Sequence, residues 1–177
     1  GDTTADRELQ FWAAELAYRA RDYVDAQAGF KPLSTDPKFH FRGRIFDHYS
    51  SVALYLDDPA EAVRIGKAYR DAFPGEADAV GVHATTLAAA GQFPEAIAAA
   101  EAALALNEGE DTLAGLGKVV ALAGDRKRAR ELYQRSGELL EHDARTGAAV
   151  RAYARAEDWG AVARAWVGLL QKISGSV

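Results

Sequence analysis

The sequence predicts an all-α chain, an α-solenoid of about five antiparallel helix hairpins, and three observations carry that prediction. The first is the stretch LAAAGQFPEAIAAAEAALALN, Leu87 to Asn107, which reads as a helix end, a tight turn and a second helix. Gly91 can take the left-handed backbone that closes a helix. Pro94 falls in the next helix's first turn, where its missing N–H costs nothing, and Glu95 beside it suits a helix N-terminus. Ala96, Ile97, Ala100, Ala103 and Leu104 then recur at three- and four-residue spacing, the pattern of one buried face. The second observation is recurrence: the register position marked by Ala96 is met at Ala26, Ala62, Ala96, Ala129 and Val162, in steps of 36, 34, 33 and 33. A lone hairpin cannot cover its own apolar surface, and a period near 34 on a two-helix unit lets neighbours do so. The third is composition: the chain is rich in alanine, the best helix former, and most of its five prolines can sit at helix starts or in connections.

Taken in order, a first helix capped by Thr3 or Thr4 runs to about Arg19, with Leu9, Trp12, Ala13, Leu16, Ala17 and Ala20 as its apolar marks. Tyr23 opens a second helix that Pro32 stops early, and Lys31 to Lys38 forms a loop that accounts for the 36-residue step. Phe39 to Leu56 begins KFHFRGRIFDHYSS, the one aromatic and basic cluster, with Gly43 as a kink or the true helix start. Asp58 caps the next helix, with Pro59 at its first position, and that helix ends near Phe73-Pro74-Gly75. The fourth hairpin runs from about Glu110 to Leu140 and turns at Gly124-Asp125. Its second helix is strongly charged (Arg126, Lys127, Arg128, Arg130, Glu131). The fifth begins near Asp143 and turns at Glu157-Asp158-Trp159, its last helix carrying Val162, Trp166, Val167, Leu169, Leu170 and Ile173 ahead of a frayed tail, Ser174 to Val177.

Slot by slot, the chain resembles the tetratricopeptide repeat family. The family's turn glycine is matched by Gly91 and Gly124 and replaced by Arg21, Asp57 and Glu157. The aromatic after the turn is matched by Tyr23, Phe93 and Trp159, but not by Pro59 or Arg126. The small residue of the first helix is matched by Ala14, Ser50, Ala84 and Gly117, with Leu116-Gly117 as the family's Leu-Gly. The second-helix aromatic is matched by Phe30, Tyr133 and Trp166, and the closing proline by Pro74 alone. The resemblance implies a right-handed superhelix and a single repeat domain over residues 1–177, with units at about 7–42, 43–76, 77–109, 110–142 and 143–174. The absence of methionine, even at the start, leads us to expect a piece excised from a longer chain.

Net charge is −5 with 27% charged residues of both signs, which argues against a general nucleic-acid binder. No segment reaches the roughly 20 apolar residues of a spanning helix. Cysteine is absent, so disulfides and thiolate chemistry are excluded, while the compartment stays open. No cofactor is implied.

The chemistry-bearing residues are few. His40 and His48 are eight residues apart, about 12 Å of helical rise, too far to share a metal on an unbroken helix. His83 falls in a slot the family usually keeps apolar and reads as a satisfied core histidine, and His142 as a solvated one. Asp47, His48 and Ser51 do not make a triad, because adjacent helical residues point about 100° apart. No phosphate-cradling loop occurs. Gly115 and Gly117 read either as packing contacts or as room for a ligand backbone.

The resemblance implies where binding would occur. First helices of successive hairpins line a concave groove, which by register includes Trp12, Glu15, Arg19, Arg44, Asp47, His48, Ser51, Tyr55, Asp78, Thr85, Lys118, Arg151 and Arg155. The family's two-lysine, two-asparagine carboxylate clamp is not matched, since Lys118 stands alone. The aromatic and guanidinium set Arg44, His48, Tyr55, Arg19 and Trp12 is the richest part. The expected function is a non-catalytic scaffold that binds a peptide or partner protein. Two alternatives are a regulatory or spacer segment of a larger signalling enzyme or transcription regulator, and a small-ligand sensor using the Arg44–His48 region. Trp166 and Leu170 on the last helix are expected to support a weak homo-oligomer, unless that helix turns its apolar set inward or meets a neighbouring domain.

Overall fold

The computed structural model describes residues 4–174, apart from the side chains of residues 172 and 173. The Thr3 alternative for the first cap, the apolar role of Ile173 and the tail beyond Ser174 lie outside the described residues. Ten α-helices and no strand occur among the described residues: α1 (Thr4–Arg19), α2 (Tyr23–Leu33), α3 (Arg42–Tyr55), α4 (Pro59–Ala72), α5 (Ala77–Ala89), α6 (Phe93–Leu106), α7 (Glu110–Leu122), α8 (Arg126–His142), α9 (Thr146–Arg155) and α10 (Trp159–Ser174). Each helix packs on the one before it and the one after it. The first helices α3, α5 and α7 also touch one another side by side. The result is a solenoid of hairpins with the first helices on its inner layer.

One turn geometry joins the two helices of every hairpin. Arg21, Asp57, Gly91, Gly124 and Glu157 all have left-handed backbone, with φ of 63°, 58°, 75°, 96° and 58°. In each case the next N–H reaches back five residues: Asp22 to Ala17, Asp58 to Ala53, Gln92 to Leu87, Asp125 to Val120 and Asp158 to Tyr153, at 2.9–3.0 Å. These bonds satisfy carbonyls that the ending helix leaves without partners. In four of the turns the aspartate that follows then caps the new helix, Asp22 accepting from the Asp25 N–H, Asp58 from Glu61, Asp125 from Arg128 and Asp158 from Ala161. Three of the five turns hold this geometry without glycine.

One helix boundary differs from the sequence expectation, and one stated alternative is decided. Helix α2 runs through Pro32 to Leu33. A proline one residue from the end forfeits little, and the Ser34 N–H still closes on the Phe30 carbonyl at 2.9 Å. Gly43 lies at the start of α3, not at a kink. A Cβ there would come 3.3 Å from the Tyr69 hydroxyl of α4.

The core falls into three clusters along the array, from Phe11 to Ala79, from Ala84 to Ala156 and from Leu140 to Ala165, and glycine is used where helices approach closely. A Cβ on Gly66 (α4) would lie 2.5 Å from Thr86 Oγ1 and 3.1 Å from His83 Cα of α5, and one on Gly137 (α8) 2.6 Å from the Tyr153 ring of α9. The charged helix α8 stitches neighbouring hairpins on the surface: Arg128 pairs with Glu101 at 2.6 Å, Arg135 with Glu108 and Arg130 with Glu157. Such exposed pairs are worth about 0–1 kcal/mol each, so packing, not charge, holds the array.

Candidate partner-binding groove

The inner faces of α3, α5 and α7 enclose a hollow of about 370 Å³, lined among others by Asp47, Ser51, Asp78, Thr85, Asp111 and Gly115. Its floor is low because of glycine. A Cβ at Gly115 meets nothing within 4 Å, and one at Gly81 meets only Ala103, at 4.0 Å. Gly117, two residues further on, sits against Tyr133, where a Cβ would come within 3.0 Å of the ring. The two readings of the LAGLG glycines thus divide: Gly117 packs and Gly115 opens the groove.

The aromatic and basic end is organised by Glu15. Its side chain is buried in α1, not open to the groove, and accepts from Arg44 at 2.6 Å and meets His48 Nδ1 at 2.5 Å, both from α3. The Arg44 guanidinium also lies 5.8 Å from the Phe11 and Trp12 ring centroids. The His48 ring stacks on Tyr18 at 4.5 Å. Arg44 and His48 are thus occupied from within the chain, and neither lines the hollow. Tyr55 stacks on Tyr23 of α2 at 4.4 Å, with Trp12 and Tyr55 each offering one exposed flank.

The remaining expected residues are spread out. Arg19, Lys118, Arg151 and Arg155 are exposed on α1, α7, α9 and α9, the last with its guanidinium 5.9 Å from the Tyr133 ring. The structure brings Asp47, Ser51, Asp78 and Thr85 into one hollow and leaves the others outside it. Sequence reasoning missed Asp111, Ser50 and Tyr69, which also line the hollow. Asp111 lies 33 residues after Asp78, one repeat on, and that spacing was the available signal.

The hollow is electrostatically negative. Burial among its walls raises the Asp47 carboxyl above the usual range; His48 pulls it down, and the charges of Asp78 and Glu15 push it up. Burial, with Asp47, Asp78 and Glu76 adding to it, pushes the Tyr69 phenol up to about 12.

Of the other histidines, His83 is buried as expected, but its Nδ1 has no hydrogen-bond partner. His142 is exposed, and His40 pairs with Glu8 at 3.6 Å. No group of three or more metal-ligating side chains converges among the described residues. No helix among them is long and apolar enough to cross a membrane.

No protein-family model matches the chain, and no curated protein matches it in sequence. Solved structures do. The nearly identical TPR-like repeats of a putative kinesin light chain from Podospora anserina superpose with a TM-score of 0.64 at 13% identity, over 96% of each chain. TTC0263, a thermophilic TPR protein of Thermus thermophilus, superposes at 0.58 and 19% identity, over 93% of this chain and 99% of that one. This chain has the tetratricopeptide-repeat fold. MamA shares it, at a TM-score of 0.55 and 19% identity, over 82% of this chain and 92% of that one. In this tetratricopeptide-repeat array the first helices α3, α5 and α7 form one layer, and the hollow lies on it.

The last helix of the array leaves a large apolar side uncovered. Trp166 is 48% exposed and Leu170 59%. The residues that hold the Trp166 position in earlier second helices, Phe30 and Tyr133, are 0% and 9% exposed because a following hairpin covers them.

Proposed function

We propose that the chain is a non-catalytic interaction scaffold that receives a peptide or an extended segment of a partner protein on its concave side. The observation that supports this most is the hollow shared by α3, α5 and α7, with a side-chain-free floor at Gly115 and polar walls at Ser51 and Thr85. A preformed groove on stacked helices needs no ordering on binding, so a few anchoring contacts suffice for affinity. The test is site-specific photo-crosslinking of the intact protein in its native extract. A benzophenone amino acid at Thr85, inside the groove, is expected to trap a discrete partner segment, whereas one at Ala98, exposed on α6, is expected to trap none. Equal trapping at both positions, or none at Thr85, overturns the reading.

A separate observation supports weak self-association. The bare Trp166 and Leu170 face of α10 occupies the position that a next hairpin would cover. On α1, Leu9 (70% exposed) and Leu16 (67% exposed) are bare where the corresponding Ala79 and Thr86 of α5 are buried against α4. A second copy stacking α1 on α10 would continue the array head to tail.

A further inference from the structure

His83 stands in a register position that the other first helices fill with apolar side chains: Tyr49 on α3, Leu116 on α7 and Ala149 on α9, none more than 2% exposed. Thr86, one turn on, likewise matches Val52, Val119 and Ala152. Both polar residues of α5 approach α4 at Gly66, where a Cβ would lie 3.1 Å from His83 Cα and 2.5 Å from Thr86 Oγ1. The apolar core breaks at the same place, its first cluster ending at Ala79 and its second beginning at Ala84. The Thr86 hydroxyl is satisfied, donating to the His83 carbonyl at 2.8 Å. The His83 ring is not: it is 6% exposed, and its buried Nδ1 has no hydrogen-bond partner. The second break in the core falls within α8, between Tyr133 and Leu140, and differs in this respect. The buried polar residue there, Ser136, donates to the Glu110 carbonyl at 2.8 Å.

We propose that the seam between α4 and α5 is a hinge that opens when His83 takes up a proton, parting the first two hairpins from the last three. The hollow would split with it, because its α3 wall lies on one side of the seam and its α5 and α7 walls on the other. A charged imidazole carries an N–H on both ring nitrogens. In the closed seam the Nδ1–H would meet no acceptor, and a buried charge has to be matched. The charges that bear on the ring come from α4 and do not match it. Arg70 and Lys67 oppose its protonation, and Asp71, which favours it, is already tied to Arg70 at 2.6 Å and Lys67 at 2.7 Å. No charge of α3, α6 or α7, which also pack on α5, bears on it among the described residues. Once the seam opens, water supplies the missing partner and the ring titrates near its ordinary value of about 6.5. Opening therefore binds a proton that the closed form refuses, and acid favours it by up to about tenfold per pH unit below that value. The hinge deepens the scaffold reading above and rests on it only for the consequence, a groove dismantled in acid.

The chain has no cysteine, so single cysteines placed in the seams read their opening. Thr86→Cys lies in the α4/α5 seam, and Val119→Cys holds the same register position on α7; each position is 1% exposed. Labelling with dithiodipyridine, which reacts in mild acid, is followed on the whole chain without a partner. Each rate is divided by that of the same variant unfolded in urea. Expected at Thr86→Cys is a rise of up to about twentyfold between about pH 7 and pH 5, with Val119→Cys unchanged. His83→Leu, which installs the side chain that Leu116 places at this position, should abolish the rise. Ala79→Cys, buried in the core cluster that α4 shares, reads the same seam if Thr86→Cys does not fold. No rise in the seam, an equal rise at Val119→Cys, or a rise that persists with His83→Leu overturns the hinge. These readings need no partner, so the two proposals fail separately. A seam that stays closed while Thr85 still traps a segment removes the hinge and leaves the scaffold. A seam that opens while Thr85 traps nothing removes the scaffold and leaves the hinge.

Discussion

Glu15 of α1 and His48 of α3 face each other across 2.5 Å, in a place where Glu15 is only 1% exposed. A carboxylate taken out of water must be matched, and here His48 and Arg44 share that task from one helix of the next hairpin. The pair therefore locks the first hairpin onto the second, and it uses the two residues that looked most available for a ligand.

Glu15→Ala should accordingly loosen the N-terminal end. Removing one partner of a fully buried pair costs about 3–5 kcal/mol, and here Arg44 and His48 can partly rehydrate, so about 2 kcal/mol is expected. Urea melts read the loss. Hydrogen exchange should place it in α1 and α2, and a loss spread evenly over the array would contradict the local lock.

The close helix seams predict opposite outcomes for two glycines. Gly66→Ala drives a methyl against Thr86 Oγ1 and the backbone at His83, and should cost about 1–3 kcal/mol. Gly168→Ala, within α10, meets nothing within 4 Å and should gain about 0.5–1 kcal/mol from helix propensity. For a chain of this size, calorimetry should show shifts of about 2–4 °C per kcal/mol, of opposite sign.

Arg21 holds φ at 63° in a turn where Gly91 and Gly124 serve elsewhere. An L side chain in that region costs about 1–2 kcal/mol, less what glycine loses in added freedom when unfolded. Arg21→Gly should therefore raise stability by about 0.5–1 kcal/mol, measured by chemical denaturation. A loss would mean that the arginine side chain stabilises the turn by contacts of its own.

His83 makes the acid side of the stability curve testable. Burial, with Arg70 nearby, holds its imidazole below the ordinary 6.5; Asp71 opposes this and Lys67 adds to it. The unfolded imidazole takes up a proton below about pH 6.5 while the folded one resists it. Its contribution to stability is therefore present above that pH and lost as the pH falls. His83→Leu should remove up to one proton's worth of slope, about 1.4 kcal/mol per pH unit, from melts taken between about pH 7 and 5. An unchanged slope would show that His83 is protonated in the folded chain.

The bare α10 face predicts association that grows with concentration. Sedimentation equilibrium should detect it, and Trp166→Ser with Leu170→Ser should abolish it without lowering the melting temperature, because both side chains are largely in solvent. A monomer at every concentration removes the head-to-tail reading.

Part of the hollow's lining was legible because each first helix repeats its register. Asp47, Ser51, Asp78 and Thr85 were expected there and share the hollow, and Asp111 follows from the same spacing. Glu15, Arg44 and His48 were expected there too, but their roles could not be read in the chain. Glu15 and Arg44 are 29 residues apart and Glu15 and His48 33 apart, and no periodicity says which of two facing polar groups will consume the other.

By itself the sequence determined the hairpins, because helix periodicity, caps and left-handed turns are short-range matters settled within a few residues. It reached even Arg21, Asp57 and Glu157, where the turn geometry persists without glycine. Only the tertiary structure decided which charges remain unmatched and where the inner layer opens. Those depend on distances between helices one or two repeats apart, and on glycines whose packing or openness is fixed by what the neighbouring helix brings opposite them.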